Sequence, residues 1–213
     1  MNANQKAFLA ELIGTFTLVF IGAGAGALAG AVAPVAIAHG VALMVIVYAW
    51  GAVSGAHVNP AVTFGVVLAG KMDWGKAVTY WVAQFLGAAI AAYLLRWLLG
   101  SEGGLGETTG TLTTTSAAKT VVLEGVLTFF LVVAVFGSAV AGRNGSAVGL
   151  AIGFVLTMDI LMGGTLTGAS MNPARTFGPA LAKGDLSYLW MYIVGPLAGG
   201  GAAAVVSQKV ILA

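Results

Sequence analysis

Long apolar runs alternate with short polar breaks along the chain, and six of the runs are long enough to be membrane-crossing helices. A hydrocarbon core of about 30 Å requires roughly 20 apolar residues in helical form. The pattern predicts spans over about Phe8–Gly30, Pro34–Val53, Ala77–Leu99, Val121–Ala141, Ala147–Met162 and Leu189–Val206. Trp74, Trp81 and Trp97, in and beside the third span, are expected to anchor it at the interfaces. The break at 100–116, GSEGGLGETTGTLTTTS, is polar and rich in Gly and Thr, which reads as an exposed connector.

Two further stretches depart from this alternation. Thr167–Pro179, TGASMNPARTFGP, is polar and Pro-interrupted although apolar runs flank it. Asn172 suits a helix N-cap, and Pro173 suits the first helical position, where its missing N–H costs nothing. A helix over Pro173–Ala182 has roughly ten residues and reaches ~15 Å, about half of the core. Pro60–Ala69, after Asn59, repeats the device. Polar helix ends inside a bilayer are tolerated only where they line a cavity. The two half-helices therefore mark the site.

The repetition extends along the whole chain. Gly55–Gly65 matches Gly168–Gly178, and Asn59/Asn172, Glu11/Glu124 and Thr15-Phe16/Thr128-Phe129 share one offset of 113 residues. The expected organisation is a single membrane domain over 1–213, with repeats at 1–100 and 117–213 joined by the connector at 100–116. Three spans per repeat is an odd number, so the second repeat enters the membrane inverted and the half-helices meet from opposite faces. The fold class is all-α, with six transmembrane helices and two re-entrant half-helices.

Composition narrows the function. Hydrophobic residues make up 59% and charged residues 8%, against a usual charged share of about 25%, which excludes a soluble domain. A net charge of +2 is too small to suggest nucleic acid. The chain has no Cys and only two His, His39 and His57, and shows no nucleophile–base pair, phosphate loop or metal-ligand spacing. No enzyme activity, metal or cofactor is expected. Met1–Lys6 lacks a cleavage pattern, so the first span is expected to be an uncleaved anchor. Lys6, Lys71, Lys76, Arg143 and Lys209 lie on one side, Arg96, Lys119 and Lys183 on the other, which places both termini in the cytoplasm.

Two opposed helix N-termini each present the equivalent of roughly +0.5 charge to one midplane point, which opposes cations. Asn59 and Asn172 cap them, leaving their amide NH2 groups to donate to a passing water. Pro60, Ala61, Pro173 and Ala174 complete the two boxes. Glu11 and Glu124 are carboxyls within spans, and their symmetric placement points to acceptors for the backbone N–H groups of the re-entrant loops. His57 reads as a loop-bracing hydrogen-bonder. Arg175, one turn into the second half-helix, reads as a pore-facing selectivity residue. His39 is either a satisfied core histidine or a pore residue. Asp159 is compatible with the pore, a subunit contact or the outer interface.

Paired Asn-Pro-Ala boxes, the second followed by Arg175, inside duplicated three-span halves each opened by a span with Glu, resemble the major intrinsic proteins, the aquaporin family. Gly55–Phe64, Tyr80–Gln84 and Gly168–Pro179 are similar to plant tonoplast and prokaryotic members. The resemblance implies one pore per subunit, usually in a homotetramer, and an outer filter at His39, Ile160, Ala169 and Arg175. Strict water channels usually have Phe, His, Cys and Arg there. Glycerol channels tend to have Trp, Gly, Phe and Arg with Asp next, where this chain has Thr176. Ile193 departs from the Trp common before the last Val-Gly-Pro. Ile160 in place of His implies a wider, more apolar opening, with His39 supplying a polar side. The implied function is a passive water channel in the lipid bilayer that also passes ammonia or other small neutral solutes and excludes protons and ions. A glycerol facilitator is the alternative and a secondary transporter a remote one. The cell (plasma or inner) membrane is the expected location.

Overall fold

The computed structural model describes residues 1–213, apart from the side chain of Glu102. Among the described residues the chain forms α-helices and no strands. They are α1 (Ala3–Leu28), α2 (Val32–Ser54), α3 (Pro60–Leu68), α4 (Trp74–Leu99), α5 (Thr111–Thr115), α6 (Ala117–Val135), α7 (Val148–Thr167), α8 (Pro173–Lys183) and α9 (Met191–Val210). A π-turn at Phe136–Val140 continues α6. Local chemistry sets the ends. Asn2 forms a capping box with Gln5, and Asp73 and Ser116 cap α4 and α6. Gly55 and Gly168, at φ 89° and 85°, stop α2 and α7 in the left-handed conformation.

Among the described residues, five helices are long and apolar enough to cross a membrane: α1, α2, α4, α6 with its π-turn, and α7 with the turn before it. The sixth, α9, has 20 residues but carries four glycines and Pro196, and it packs closely on α6. Large apolar side chains such as Ile37, Val45, Phe154 and Trp97 face outward, as a lipid solvent permits. Trp81 differs from the interface anchor expected of it. It is half-buried, and its indole N–H donates to the Pro60 carbonyl at 3.2 Å.

The halves pack by equivalent contacts and then interlock. α1 lies against α2 and α4, as α6 lies against α7 and α9. Each half-helix, however, packs mainly on the last span of the other half, α3 on α9 and α8 on α4. The repeat mates Gly40 and Gly153 meet each other where α2 crosses α7. A Cβ on Gly40 would lie 1.8 Å from Thr157 Oγ1, and one on Gly153 would lie 2.5 Å from the Gly40 carbonyl. Small residues allow that approach in lipid, where packing rather than water drives association.

The connector is not the exposed loop expected from its polarity. Leu105, Thr108 and Thr113 are buried, and the turn over Glu102–Gly106 packs on α1 and α8. At Gly106, φ is 64° and a Cβ would lie 1.9 Å from the Ala23 carbonyl. The glycines that suggested an open loop are what let its backbone lie against a helix.

Candidate functional site

The half-helices α3 and α8 start at Asn59 and Asn172 in extended backbone, each followed by Pro at the first position. Asn59 Oδ1 accepts from the Ala61 N–H at 2.9 Å. Asn172 Oδ1 accepts from the N–H groups of Ala174 (3.1 Å) and Arg175 (3.2 Å). Pro60, Ala61, Pro173 and Ala174 are all buried around them. The amides are only half free. Asn59 Nδ2 donates to the Met171 carbonyl at 2.8 Å, and Asn172 Nδ2 donates to the Val58 carbonyl at 2.9 Å. An amide NH2 has two hydrogens, so each asparagine holds the opposite loop with one and keeps the other.

The loops before the boxes adopt conformations that side chains rarely take. Ala56 and Val58 have φ of 50° and 43°, and their repeat mates Ala169 and Met171 have 44° and 54°. Such residues cost of order 1–3 kcal/mol each and persist only when their surroundings over-determine them. Glu11 and Glu124, both fully buried, provide the constraint. Glu11 accepts from Ser54 Oγ (2.7 Å), the N–H groups of His57 (2.9 Å) and Val58 (2.7 Å), and Gln84 Nε2 (2.8 Å). Glu124 accepts from Thr167 Oγ1 (2.7 Å) and the N–H groups of Ser170 (3.0 Å) and Met171 (2.7 Å). His57 places Nδ1 3.1 Å from Thr63 Oγ1, whose hydroxyl donates to the Asn59 carbonyl at 3.1 Å. The imidazole therefore donates to Thr63.

Arg175 stands between two cavities. The inner one runs past His57, Asn59 and Asn172, and the outer one opens past Ile160 and Gly164. Arg175 and Ile160 are 5% and 3% exposed, so the passage between the cavities is tight. Arg175 Nε donates to His39 Nε2 at 3.2 Å, while His39 Nδ1 lies 2.9 Å from the Val35 carbonyl. The two contacts select one tautomer, with the hydrogen on Nδ1 and a lone pair on Nε2. Arg175 Nη1 donates to the Gly106 carbonyl (2.8 Å) and to Thr108 Oγ1 (3.0 Å). His39 and Ile160 thus share this constriction with Arg175. Ala169 is buried in the re-entrant loop and lines neither of these two cavities.

The family model for the major intrinsic proteins matches residues 1–207. The chain belongs to the major intrinsic protein family. Aquaporin TIP1-1 of Zea mays is 43% identical over 97% of this chain and 87% of its own length. Probable aquaporin TIP2-2 of Oryza sativa subsp. japonica is 41% identical over 99% of this chain and 89% of its own length. Among solved structures, the aquaglyceroporin from Plasmodium falciparum superposes with a TM-score of 0.82 at 26% identity, covering 98% of this chain and 97% of that one. This major intrinsic protein is accordingly a multi-pass membrane channel, a transport protein. The relatives give no support to the expected plasma or inner membrane.

In sequence the connector reads as exposed, whereas in the fold of this major intrinsic protein it brings Gly106 and Thr108 onto Arg175. A polar Thr side chain beside a run of glycines was the only signal, and the run itself reads as a loop. Asp159, left open above, lies buried on α7 beside Ile160, with Oδ2 unpaired among the described residues.

Proposed function

We propose that this major intrinsic protein is a passive water channel whose filter is wide enough to pass ammonia and other small neutral solutes while excluding protons and ions. The observation that carries the reading is the bonding of Arg175. Its Nε–H and both Nη1–H groups are taken by His39, Gly106 and Thr108. The guanidinium has five N–H donors, so two remain, both on Nη2, and no partner takes them among the described residues. Arg175 and Ile160 both line the outer cavity. Water and ammonia can both accept from Nη2, and neither meets a second obligatory polar group on the Ile160 side.

Exclusion rests on charge. A permeant cation would meet the guanidinium and then the positive ends of α3 and α8, where each asparagine keeps one N–H for the solute. A water held there turns its oxygen toward both donors, which breaks a continuous proton wire; aquaporin-type pores are the known example of this electrostatic logic. Glu11 and Glu124 act as scaffolds for the loops that present these groups. Both termini face the cytoplasm, and four copies assemble with one pore each.

The test is stopped-flow light scattering on proteoliposomes shrunk with sucrose and then glycerol, beside an internal-pH dye for ammonia. Fast water flux, rapid alkalinisation and slow glycerol entry are expected, with Ile160→His reducing the ammonia signal. Water flux without ammonia entry, or ammonia entry indifferent to Ile160→His, would overturn the wide filter. The solved neighbour is an aquaglyceroporin, so the glycerol arm carries its own weight: fast glycerol entry would favour a polyol facilitator.

A further inference from the structure

Beyond the boxes and the constriction lies a run of buried hydroxyls that neither accounts for. Thr108, Thr176 and Ser170 are 3%, 4% and 4% exposed. Arg175 Nη1 lies 3.0 Å from Thr108 Oγ1, which lies 3.0 Å from Thr176 Oγ1, which lies 2.5 Å from Ser170 Oγ. Ser170 Oγ donates to the Asn172 carbonyl at 2.9 Å. The chain begins on the charged group of the constriction and ends on the capping residue of α8, after passing through the connector and the re-entrant loop.

The direction of every hydrogen follows from counting. A hydroxyl has one hydrogen to give. Ser170 spends its hydrogen on the Asn172 carbonyl, so it must accept from Thr176. Thr176 has then given its own, so it must accept from Thr108. Thr108 in turn accepts from Arg175, whose guanidinium can only donate. Each hydroxyl gives once and is given to, all pointing from the cation toward the carbonyl. In a low-dielectric interior such a chain is polarised along its length, and its members strengthen one another.

We propose that Thr108 and Thr176 are positioning residues for solute selection, forming with Ser170 a one-way hydroxyl relay that ties the side chain of Arg175 to the second Asn-Pro-Ala box. The relay holds Nη1 against the connector wall, so the guanidinium stays off the pore axis and Nη2 is the edge it presents. Breaking any link loosens the Thr108 side of the guanidinium while His39 and the Gly106 carbonyl still hold it, and the constriction changes shape without losing its charge. The inference rests on the proposed filter role of Arg175.

Thr108→Val and Thr176→Val remove a hydroxyl at nearly constant volume, and Thr108→Ser returns it without the methyl group. Glycerol-to-water and ammonia-to-water permeability ratios, measured together on proteoliposomes, report the filter's shape. Thr108→Val and Thr176→Val are expected to shift both ratios several-fold, Thr108→Ser to restore them, and the double valine variant to go no further than either single. Unchanged ratios in the valine variants, or a Thr108→Ser shift as large as that of Thr108→Val, would overturn the relay. Arg175→Val on the same day separates the two ideas: if it alters the ratios and the threonine variants do not, only the relay fails. Thermal unfolding in detergent gives a reading independent of flux. The double valine variant should lose no more melting temperature than the worse single one, and additive losses would show that the hydroxyls act separately.

Discussion

Glu11 receives four hydrogen bonds in the first half, and Glu124 receives three in the second. The fourth comes from Gln84 of α4, four residues after Tyr80; four residues after Tyr192 in α9 stands Pro196, a residue with no donor to offer. Tyr80 and Tyr192 are alike, each giving its hydroxyl to the last carbonyl of the span before its loop, at 2.6 Å to Ser54 and 2.6 Å to Thr167. The threonines after the boxes diverge. Thr63 is held by His57 and Gln84 from within its own half. Thr176 is held by Ser170 and by Thr108 of the connector, which ends on Arg175. One half closes on itself, and the other borrows a segment from between the halves to carry a charge. Duplicated architecture fixed the two loops symmetrically, and the outer constriction was built where the symmetry lapses.

The largest effects should come from breaking the carboxylates. Each Glu11 oxygen accepts two donors, so Glu11→Gln orphans two of them whichever way the amide turns. At about 1–3 kcal/mol per buried unsatisfied group, the cost is about 2–6 kcal/mol. Glu124 Oε2 has one donor, the Met171 N–H, so Glu124→Gln can turn its NH2 there and lose about 1–3 kcal/mol. Thermal unfolding in detergent ranks the two, and an equal or larger loss for Glu124→Gln would contradict the unequal donor counts.

Gly106→Ala strikes the connector where it lies against α1. The added methyl would meet the Ala23 carbonyl at 1.9 Å, an overpacking worth about 1–3 kcal/mol. It also lifts the carbonyl that Arg175 uses, so glycerol entry should rise as the melting temperature falls. A destabilised variant with unchanged solute selection would detach the connector from the filter.

Arg175→Val should admit glycerol, urea and small cations about tenfold faster, equivalent to about 1.4 kcal/mol of barrier. Flux and conductance measurements would show it, with the protein still eluting as a folded species. Unaltered selection would remove Arg175 from the filter.

The smallest effect tests why the first half needs its extra donor. Gln84→Met deletes the bonds to Glu11 and Thr63 together with an Oε1 that has no partner. The two changes offset, leaving a loss of about 1 kcal/mol. On that background Glu11→Gln should cost no more than Glu124→Gln does. A persistent gap would place the asymmetry elsewhere, in the valine at φ 43° for example.

The boxes, the paired carboxylates and the inverted halves were legible because each is written twice. A buried Glu at a repeated position requires donors, and an Asn-Pro pair inside an apolar run requires a helix to start. The connector was illegible for the opposite reason. It occurs once, and the atom it contributes to Arg175 is the backbone oxygen of Gly106, which no side-chain pattern announces. The free NH2 groups expected of Asn59 and Asn172 were half right, because the reciprocal bonds to Met171 and Val58 join loops 112 and 114 residues apart.

By itself the sequence determined that this chain must live in lipid, fold as interlocked repeats and bring two helix N-termini to one plane. Those outcomes follow from hydrophobic length and from backbone groups that a bilayer leaves no other way to satisfy. The tertiary structure alone decided which N–H groups of Arg175 are bonded and which are left over. That depends on three donors finding His39, Gly106 and Thr108 at hydrogen-bonding distance, and distance is a property of the packed chain.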